Sequence, residues 1–273
     1  YDTVAAPETV IFQVWPDDTA VTEALRSGDL DMLMDPVTPA DVESLQSEDS
    51  LTVDIYDSYQ FGFLGYNLDP TKSPLFQDVE VRQALIYALD RQAMVDSILL
   101  GYSEVANGTQ PTLSEACAPD QINTVYNYDV DKANQLLDSA GWVAGSDGIR
   151  AKDGNKLSFE IMYGASSTND QIASAAQDYW KAVGVDAQPT SVDFDTVLIP
   201  AITETFDYQI CMLAFDWASP NGDQSAMFGT SNYGAGFNFM KYSNPEYDTT
   251  NDAANRALDP QERFALLVKA SNI

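Results

Sequence analysis

The sequence predicts a mixed α/β fold in two sub-regions that divide near Tyr59 to Asn67. Strand-like and helix-like segments alternate along the chain, helical content rises after that point, and 273 residues with 45% apolar side chains suffice for one large or two ordinary domains.

Thr9 to Trp15 (TVIFQVW) has the Val, Ile, Phe and Trp content of a strand, and Pro16-Asp17-Asp18 ends it. Asp18-Thr19 can cap a short helix through Ala24-Leu25-Arg26 that stops at Ser27-Gly28. Leu30 to Met34 predicts a second strand, which completes a strand, helix, strand unit. Leu51 to Tyr56 and Gln60 to Tyr66 are further extended segments, and Tyr59, Phe61, Phe63 and Tyr66 crowd the second of them. The strongest helix follows. Asp78 is its N-cap, Val81, Ala84, Leu85, Ala88, Leu89, Val95, Ile98 and Leu99 recur mostly three and four apart, and Gly101 stops the run.

Residues 103–128 lack periodicity and predict a long loop packed on something else. A second helix starts near Asp129, with Ala133, Leu136, Leu137 and Ala140 on one stripe and Gly141 as its stop. Ile149 to Met162 predicts a hairpin around Asp153-Gly154-Asn155, a turn sequence that tolerates positive φ. A third helix from about Asn169 carries Ile172, Ala175, Ala176, Tyr179, Trp180 and Val183, and ends at Gly184. Val185 to Val192 predicts a strand, Thr196 to Thr203 a short helix despite Pro200, and Tyr208 to Phe215 an apolar strand. Residues 217–238 turn irregular and rich in Gly, Asn and Ser. The final helix runs from Pro260 to the terminus without a closing cap, which predicts that the native chain continues.

Composition excludes several kinds of function. A net charge of −29, from 13 Lys plus Arg against 42 Asp plus Glu, opposes binding to nucleic acid or anionic lipid, which depends on cationic side chains meeting phosphate. The absence of His removes Ser-His-Asp and Cys-His nucleophile systems and imidazole metal sites, and two Cys cannot build a four-cysteine zinc site. The acidic surplus points to a secreted, surface or halophilic setting. No apolar run approaches the roughly 18 residues of a membrane span. The chain opens on Tyr1 with no signal peptide and is expected to be a mature or excised segment.

The run Pro74-Leu75-Phe76-Gln77-Asp78-Val79-Glu80-Val81-Arg82-Gln83-Ala84-Leu85-Ile86-Tyr87-Ala88-Leu89-Asp90-Arg91, followed by Gly101 and Pro111, resembles the signature helix of the oligopeptide, dipeptide and nickel-type extracellular solute-binding proteins, the capture subunits of ABC importers. Supporting blocks fall in that family's order: Ala24 to Asp31, Leu64 to Asn67, Tyr128-Asp129 through Trp142, Asp147 to Gly154, Val183-Gly184-Val185, Asp207-Tyr208, and Tyr242 to Asp248 before Arg263. The resemblance implies a periplasmic-binding-protein-like clamp of class II (cluster C), whose two lobes close on a ligand. Residues 1–60 would supply part of the first lobe and 61–273 the second, without its C-terminal return. It further implies a monomer that needs no cofactor and hands a small solute to an ABC permease. Its place would be the outer face of a bacterial envelope, as a tethered lipoprotein or in the periplasm.

In that frame Phe215-Asp216-Trp217-Ala218-Ser219-Pro220-Asn221-Gly222-Asp223 is the ligand segment, an apolar strand delivering a Trp and hydrogen-bonding groups into a loop. Peptide-binding relatives carry a Trp followed shortly by an Asp that pairs with the peptide α-ammonium. The equivalent here falls on Ser219 or Pro220, which carry no charge. Asp216 or Asp223 can substitute. Otherwise the cargo is an oligosaccharide or another polar solute, suited to neutral hydrogen-bond groups such as Asn221 and to aromatic platforms. Tyr59, Phe61 and Tyr233 are further candidates, since flat rings stack on ligands at low entropic cost. Arg82, Asp90 and Arg91 are expected to fix helix ends and lobe packing, and Trp180 to be core. The lack of His argues against direct nickel ligation.

Cys117 and Cys211 either form a disulfide, as an extracytoplasmic setting allows, or stay two buried thiols. Asn107-Gly108-Thr109 fits a glycosylation sequon, whose use a bacterial importer protein argues against. A glycoside hydrolase is the enzymatic rival, with any assignment among Asp216, Asp223 and Asp248 arbitrary. A surface adhesin or sensor that borrows the clamp is the third reading. With much of the first lobe absent, residues 1–273 are expected to bind cargo weakly.

Overall fold

A computed structural model describes residues 7–15, 17–34, 36–114, 116–217, 222–234 and 236–273. The chain divides into two compact units, Tyr1–Asp54 and Ile55–Ile273.

In the first unit, helix α1 (Asp18–Ser27) begins where the Asp17 carboxylate accepts the Ala20 N–H at 2.8 Å and ends at Gly28, whose φ of +79° suits glycine. Helix α2 (Pro39–Gln46) has Pro at its first position. Arg26 ties the two together, donating to Glu23 Oε1 and to Ser44 Oγ, each at 2.7 Å. Ala24, Val42 and Leu45 are the buried apolar side chains described here, too few for a core of ordinary size.

The strands expected at Thr9–Trp15, Leu30–Met34 and Leu51–Tyr56 do not form, and those runs carry no ladder among the described residues. A strand is completed by a neighbouring backbone, which β-propensity does not supply. Phe12 is 78% exposed and Val14 97% exposed as a result.

The second unit begins with strand β1 (Gln60–Tyr66) and helices α3 (Val79–Tyr87), α4 (Arg91–Ser97) and α5 (Val130–Ser139). The expected continuous helix after Asp78 is thus two helices. Asp90 leaves helical geometry to accept the Ala93 N–H at 3.0 Å and starts a new helix. A small sheet of β2 (Val143–Ala144), β3 (Arg150–Lys152) and β4 (Asn155–Lys156) holds the predicted turn, with Asp153 at φ +51° and Gly154 at +81°. The chain then leaves that hairpin for strand β5 (Ser158–Gly164) of the main sheet.

Helix α6 (Ser167–Ala182) connects β5 to its parallel neighbour β6 (Asp186–Val192). The short helix expected at Thr196 to Thr203 forms within an unbroken helical run over 194–205 that widens to π-helical turns at Phe194–Leu198 and Ala201–Thr205, with Pro200 in helical geometry between them. Strand β7 (Ile210–Asp216) completes a sheet of order β1-β7-β5-β6, in which β1 is antiparallel to β7 and the other pairs are parallel. Helices α7 (Ser225–Phe228), α8 (Pro245–Arg256) and α9 (Pro260–Ser271) follow.

Alternation along the strands sends side chains to two apolar layers. Phe159, Ile161, Ile210 and Met212 face helices α3, α5 and α6, where Leu85, Leu137 and the wholly buried Trp180 pack on them. The Trp180 indole donates to the Leu85 carbonyl at 2.8 Å, so it is core as expected. Arg150, also buried, donates to the Trp142 and Val183 carbonyls that end α5 and α6, at 2.6 and 2.8 Å. Phe63, Cys211 and Leu213 face the opposite way, onto Leu198, Ile202, Tyr208 and Phe239.

The far end of β1 is locked by polar groups. Buried Asn67 donates to the Phe206 and Tyr208 carbonyls at 3.0 and 2.9 Å. Beside it, the Lys241 ammonium pairs with Asp69 at 2.8 Å and lies 4.2 Å from the Phe206 ring centroid. Lys241 and Phe206 both hold left-handed backbone, at φ +58° and +52°, a strained choice for such side chains that the surrounding contacts hold in place. Hydrogen bonds from Lys241 and Thr71 hold the Asp69 carboxyl far below the ordinary carboxylate range.

Cys117 and Cys211 are free thiols, so the disulfide alternative is not realised. Burial pushes the Cys211 thiol up to about 12.

Two predictions follow from this framework. A folded-state pKa below the unfolded one stabilises above the ordinary value of about 4, and that stabilisation is lost as the pH falls toward the lowered value. Asp69→Asn therefore lowers the melting temperature at neutral pH, and its gap to the parent protein narrows steadily below about pH 4; a gap that stays constant with pH removes the ion pair from this role. Under non-reducing denaturing conditions a thiol reagent titrates both cysteines, and buried Cys211 stays silent in the native protein. Finding no reactive thiol after unfolding would show a disulfide instead.

Candidate functional site

Because β5, β6 and β7 are parallel, Gly164, Val192 and Asp216 end on one edge of the sheet, and antiparallel β1 starts there at Gln60. Carboxyl edges of parallel strands are where connecting loops diverge and ligands collect. The register sets Gln60 opposite Asp216 and Phe61 opposite Phe215, and the Trp217 N–H donates to the Tyr59 carbonyl at 3.3 Å, carrying the pairing past the strand end.

An aromatic surface results. The Trp217 ring lies 4.7 Å from Phe215 and, nearly parallel at 11°, 6.3 Å from Phe61. Phe237 meets Phe215 edge-on at 4.9 Å and is 51% exposed. Inward, Phe61 touches Phe63 at 5.4 Å and Phe63 touches Phe239 at 6.5 Å, so the surface is continuous with the apolar layer beneath it. Phe61, Phe215 and Trp217 are half-buried. Such rings offer flat faces to apolar groups, sugars or cations.

The indole N–H of Trp217 is buried and has no partner among the described residues. Trp217 borders a cavity of about 10 Å³, shared with Gln110, Pro111, Ser114, Gly222, Asp223 and Gln224, which has room for about one water molecule.

The structure brings Tyr59, Phe61, Asp216 and Trp217 together at this edge. Asp216 is exposed at the end of β7. Asp223 is engaged elsewhere: it accepts the Ser225 N–H at 3.0 Å and the Asn251 amide at 2.9 Å. Burial pushes its carboxyl up, but hydrogen bonds from Asn251, Ser225 and Asn255 outweigh that and leave it below the ordinary value. Tyr233 makes no ring contact with the cluster; its ring centre lies 5.9 Å from the Lys241 ammonium. Asp248 accepts the Thr230 N–H at 2.9 Å. Ser219 and Asn221 lie outside the described residues.

Two rings at this edge escape sequence reasoning. Phe237 sits in an irregular Gly-rich loop without periodicity. Phe194 follows β6, is 49% exposed, and lies against Gly164, where a Cβ would come within 3.0 Å of its ring. The glycine at the end of β5 was the available signal for that close approach.

Arg82 and Arg91 act structurally, as expected. Arg82 donates to the Phe76 carbonyl at 2.5 Å, and Arg91 donates to the Ala106 and Tyr126 carbonyls at 2.7 and 2.6 Å. Among the described residues, no group of three or more metal-ligating side chains occurs, and no helix is long and apolar enough to cross a membrane.

Residues 1–239 match the family model of bacterial extracellular solute-binding proteins, family 5. The oligopeptide-binding protein AppA of Bacillus subtilis is 30% identical over 243 residues, covering 88% of this chain and 44% of AppA. The di/tripeptide-binding protein 3 of Pseudomonas aeruginosa is 27% identical over 274 residues, covering 97% of this chain and 48% of that protein. Among solved structures, AppA from Bacillus subtilis in complex with a nonapeptide superposes with a TM-score of 0.87 at 27% identity, over 95% of this chain and 51% of that one. NikZ from Campylobacter jejuni in complex with Ni(L-His), at 23% identity and a TM-score of 0.81 over 94% of this chain and 50% of that one, shares the fold. The chain thus spans about half the length of these relatives, and the expected binding-protein fold class is borne out. The signature helix and the ordered blocks around it are those of a known lineage: this chain belongs to the bacterial extracellular solute-binding proteins, family 5.

Proposed function

We propose that the protein is the substrate-binding component of an ABC importer and captures peptides for delivery to a membrane permease. The observation that carries this reading is the aromatic surface of Phe61, Phe215 and Trp217 at the carboxyl edge of the sheet, beside exposed Asp216, in a chain whose relatives bind oligopeptides and dipeptides. It is a binding role without chemistry. Residues 61–273 act as the second lobe and 1–60 as part of the first. The protein works as a monomer outside the cytoplasm, as a lipoprotein or in the periplasm.

Binding energy in this arrangement comes from desolvating flat rings against peptide side chains, with main-chain groups gripping an extended ligand. Asp216 takes the charge role. Ser219 and Pro220 carry none, and Asp223 is held by its own hydrogen bonds. A neutral oligosaccharide is the second reading, favoured by the stacked rings and indifferent to Asp216.

Calorimetric titration separates the two. Trp217→Ala weakens peptide binding by about ten- to a hundredfold, a loss of roughly 1.4–2.8 kcal/mol typical of a buried aromatic contact. Asp216→Asn weakens peptides with a free amino terminus by about tenfold and leaves N-acetylated ones unchanged. Equal affinity of the parent protein for free and acetylated peptides removes Asp216 from this role. Binding of oligosaccharides with no binding of peptides would replace the main reading by the second.

A further inference from the structure

Charge at the aromatic edge is of one sign. The segment leading into β1 carries Asp57, the turn after β6 carries Asp193 and Asp195, and β7 ends on Asp216, all exposed. No Lys or Arg occurs between Arg26 and Lys72, between Arg91 and Lys132, between Lys156 and Lys181, or between Lys181 and Lys241. These intervals include the described segments that lead into β1 and out of β5, β6 and β7 at this edge. The nearest cation along the loop that bears Phe237 is Lys241, which is paired with Asp69 and only 14% exposed. Half-buried Phe61, Phe215 and Trp217 and exposed Phe237 stand in the same place, and the faces of aromatic rings attract cations and repel anions.

We propose that the cargo is a cationic peptide, one with Lys or Arg side chains beside an apolar or aromatic one. This rests on the peptide-binding reading and specifies it. A unit charge at about 10 Å changes a binding equilibrium by roughly twofold in water. With Asp216 taking the peptide α-ammonium, Asp57, Asp193 and Asp195 favour a singly charged side chain over a neutral isostere by about eightfold, and disfavour an anion by a similar factor. The effect is electrostatic and long-ranged, so it fades once the screening length falls below about 10 Å, near 0.1 M salt. The strong negative charge of the whole chain, −29, acts in the same direction by raising the local concentration of cationic solutes.

The test is calorimetric titration of the protein with three pentapeptides of equal length and a common central Phe that differ at one neighbouring position, Lys, Ala or Glu, at low and at moderate salt. The Lys peptide is expected to bind about eightfold more tightly than the Ala peptide at low salt, the Glu peptide about eightfold more weakly, and both gaps to narrow as salt rises. The double variant Asp57→Asn and Asp195→Asn changes two exposed side chains. It is expected to lose about fourfold for the Lys peptide and nothing for the Ala peptide. Equal affinities across the three peptides, or preferences that do not respond to salt, overturn the charge assignment while leaving peptide binding intact. Failure of all three to bind overturns the peptide reading, and this inference with it.

Discussion

The pairing of β1 with β7 is the constraint on which the rest of the second unit depends. Side chains alternate faces along a strand, so a slip of β1 by one residue would turn Phe61 and Phe63 into the helical layer and Leu64 and Tyr66 onto the layer of Leu198, Ile202 and Phe239. Each end of the pair is fixed by a different means. At one end Asn67 bonds two carbonyls of the segment entering β7, and the Asp69–Lys241 pair holds the chain that returns along the sheet. At the other end the Trp217 N–H bonds Tyr59 and the rings of Trp217, Phe215 and Phe61 interlock. β1 is an edge strand with one partner, so these ends do the work that a second neighbour does for a central strand.

The segment from Phe237 to Lys241 connects the two ends. Phe237 touches Phe215 at the open edge, Phe239 touches Phe63 in the middle, and Met240 lies against Gly65, where a Cβ would approach its sulfur to 3.2 Å. At the far end Lys241 is gripped by Asp69 and Phe206. The strain of two left-handed non-glycine residues is confined to this grip, where a largely buried ion pair and a ring contact offset it. The placement of Phe237 at the candidate site is thus tied to polar chemistry at the opposite edge of the sheet.

Legibility in the sequence followed how local each structural cause was. Helices α5 and α6 were readable because their caps are local: Asp129 accepts the Lys132 N–H at 2.8 Å, and Gly184 follows α6 at φ +81°. The break at Asp90 was hidden because apolar periodicity continues across it, and the competing signal was one carboxylate able to cap a new helix. Helices α2 and α8 went unread although Thr38-Pro39 and Asn244-Pro245 mark their starts, because their faces hold too few apolar residues for periodicity to show. The strands expected before residue 57 failed for the opposite reason, having local propensity without a partner. At the sheet edge, the shared position of Trp217, Phe61 and Asp216 is legible because a strand's end and its register are local properties. The engagement of Asp223 was not, because its partner Asn251 lies 28 residues away on another helix. Tyr233 and Phe237 share one irregular loop, and only the fold decides that Phe237 meets Phe215 while Tyr233 lies near Lys241.

The site is the open end of a core. The layer of Leu198, Ile202, Tyr208, Cys211 and Phe239 is closed against water, yet the same face of the sheet continues outward through Phe63 and Phe61 to rings that stay half-buried or exposed. Apolar surface left uncovered at a core's edge loses the stabilisation that burial gives, about 25 cal/mol for each Å² removed from water. Any group that covers these rings recovers that stabilisation without remodelling the protein, because the rings are already held by one another and by the sheet. Preorganisation of this kind lowers the entropic cost of binding and does not discriminate among apolar side chains. Discrimination falls to the polar rim, where exposed Asp216 and Gln60 stand opposite each other at the end of the β1–β7 pair.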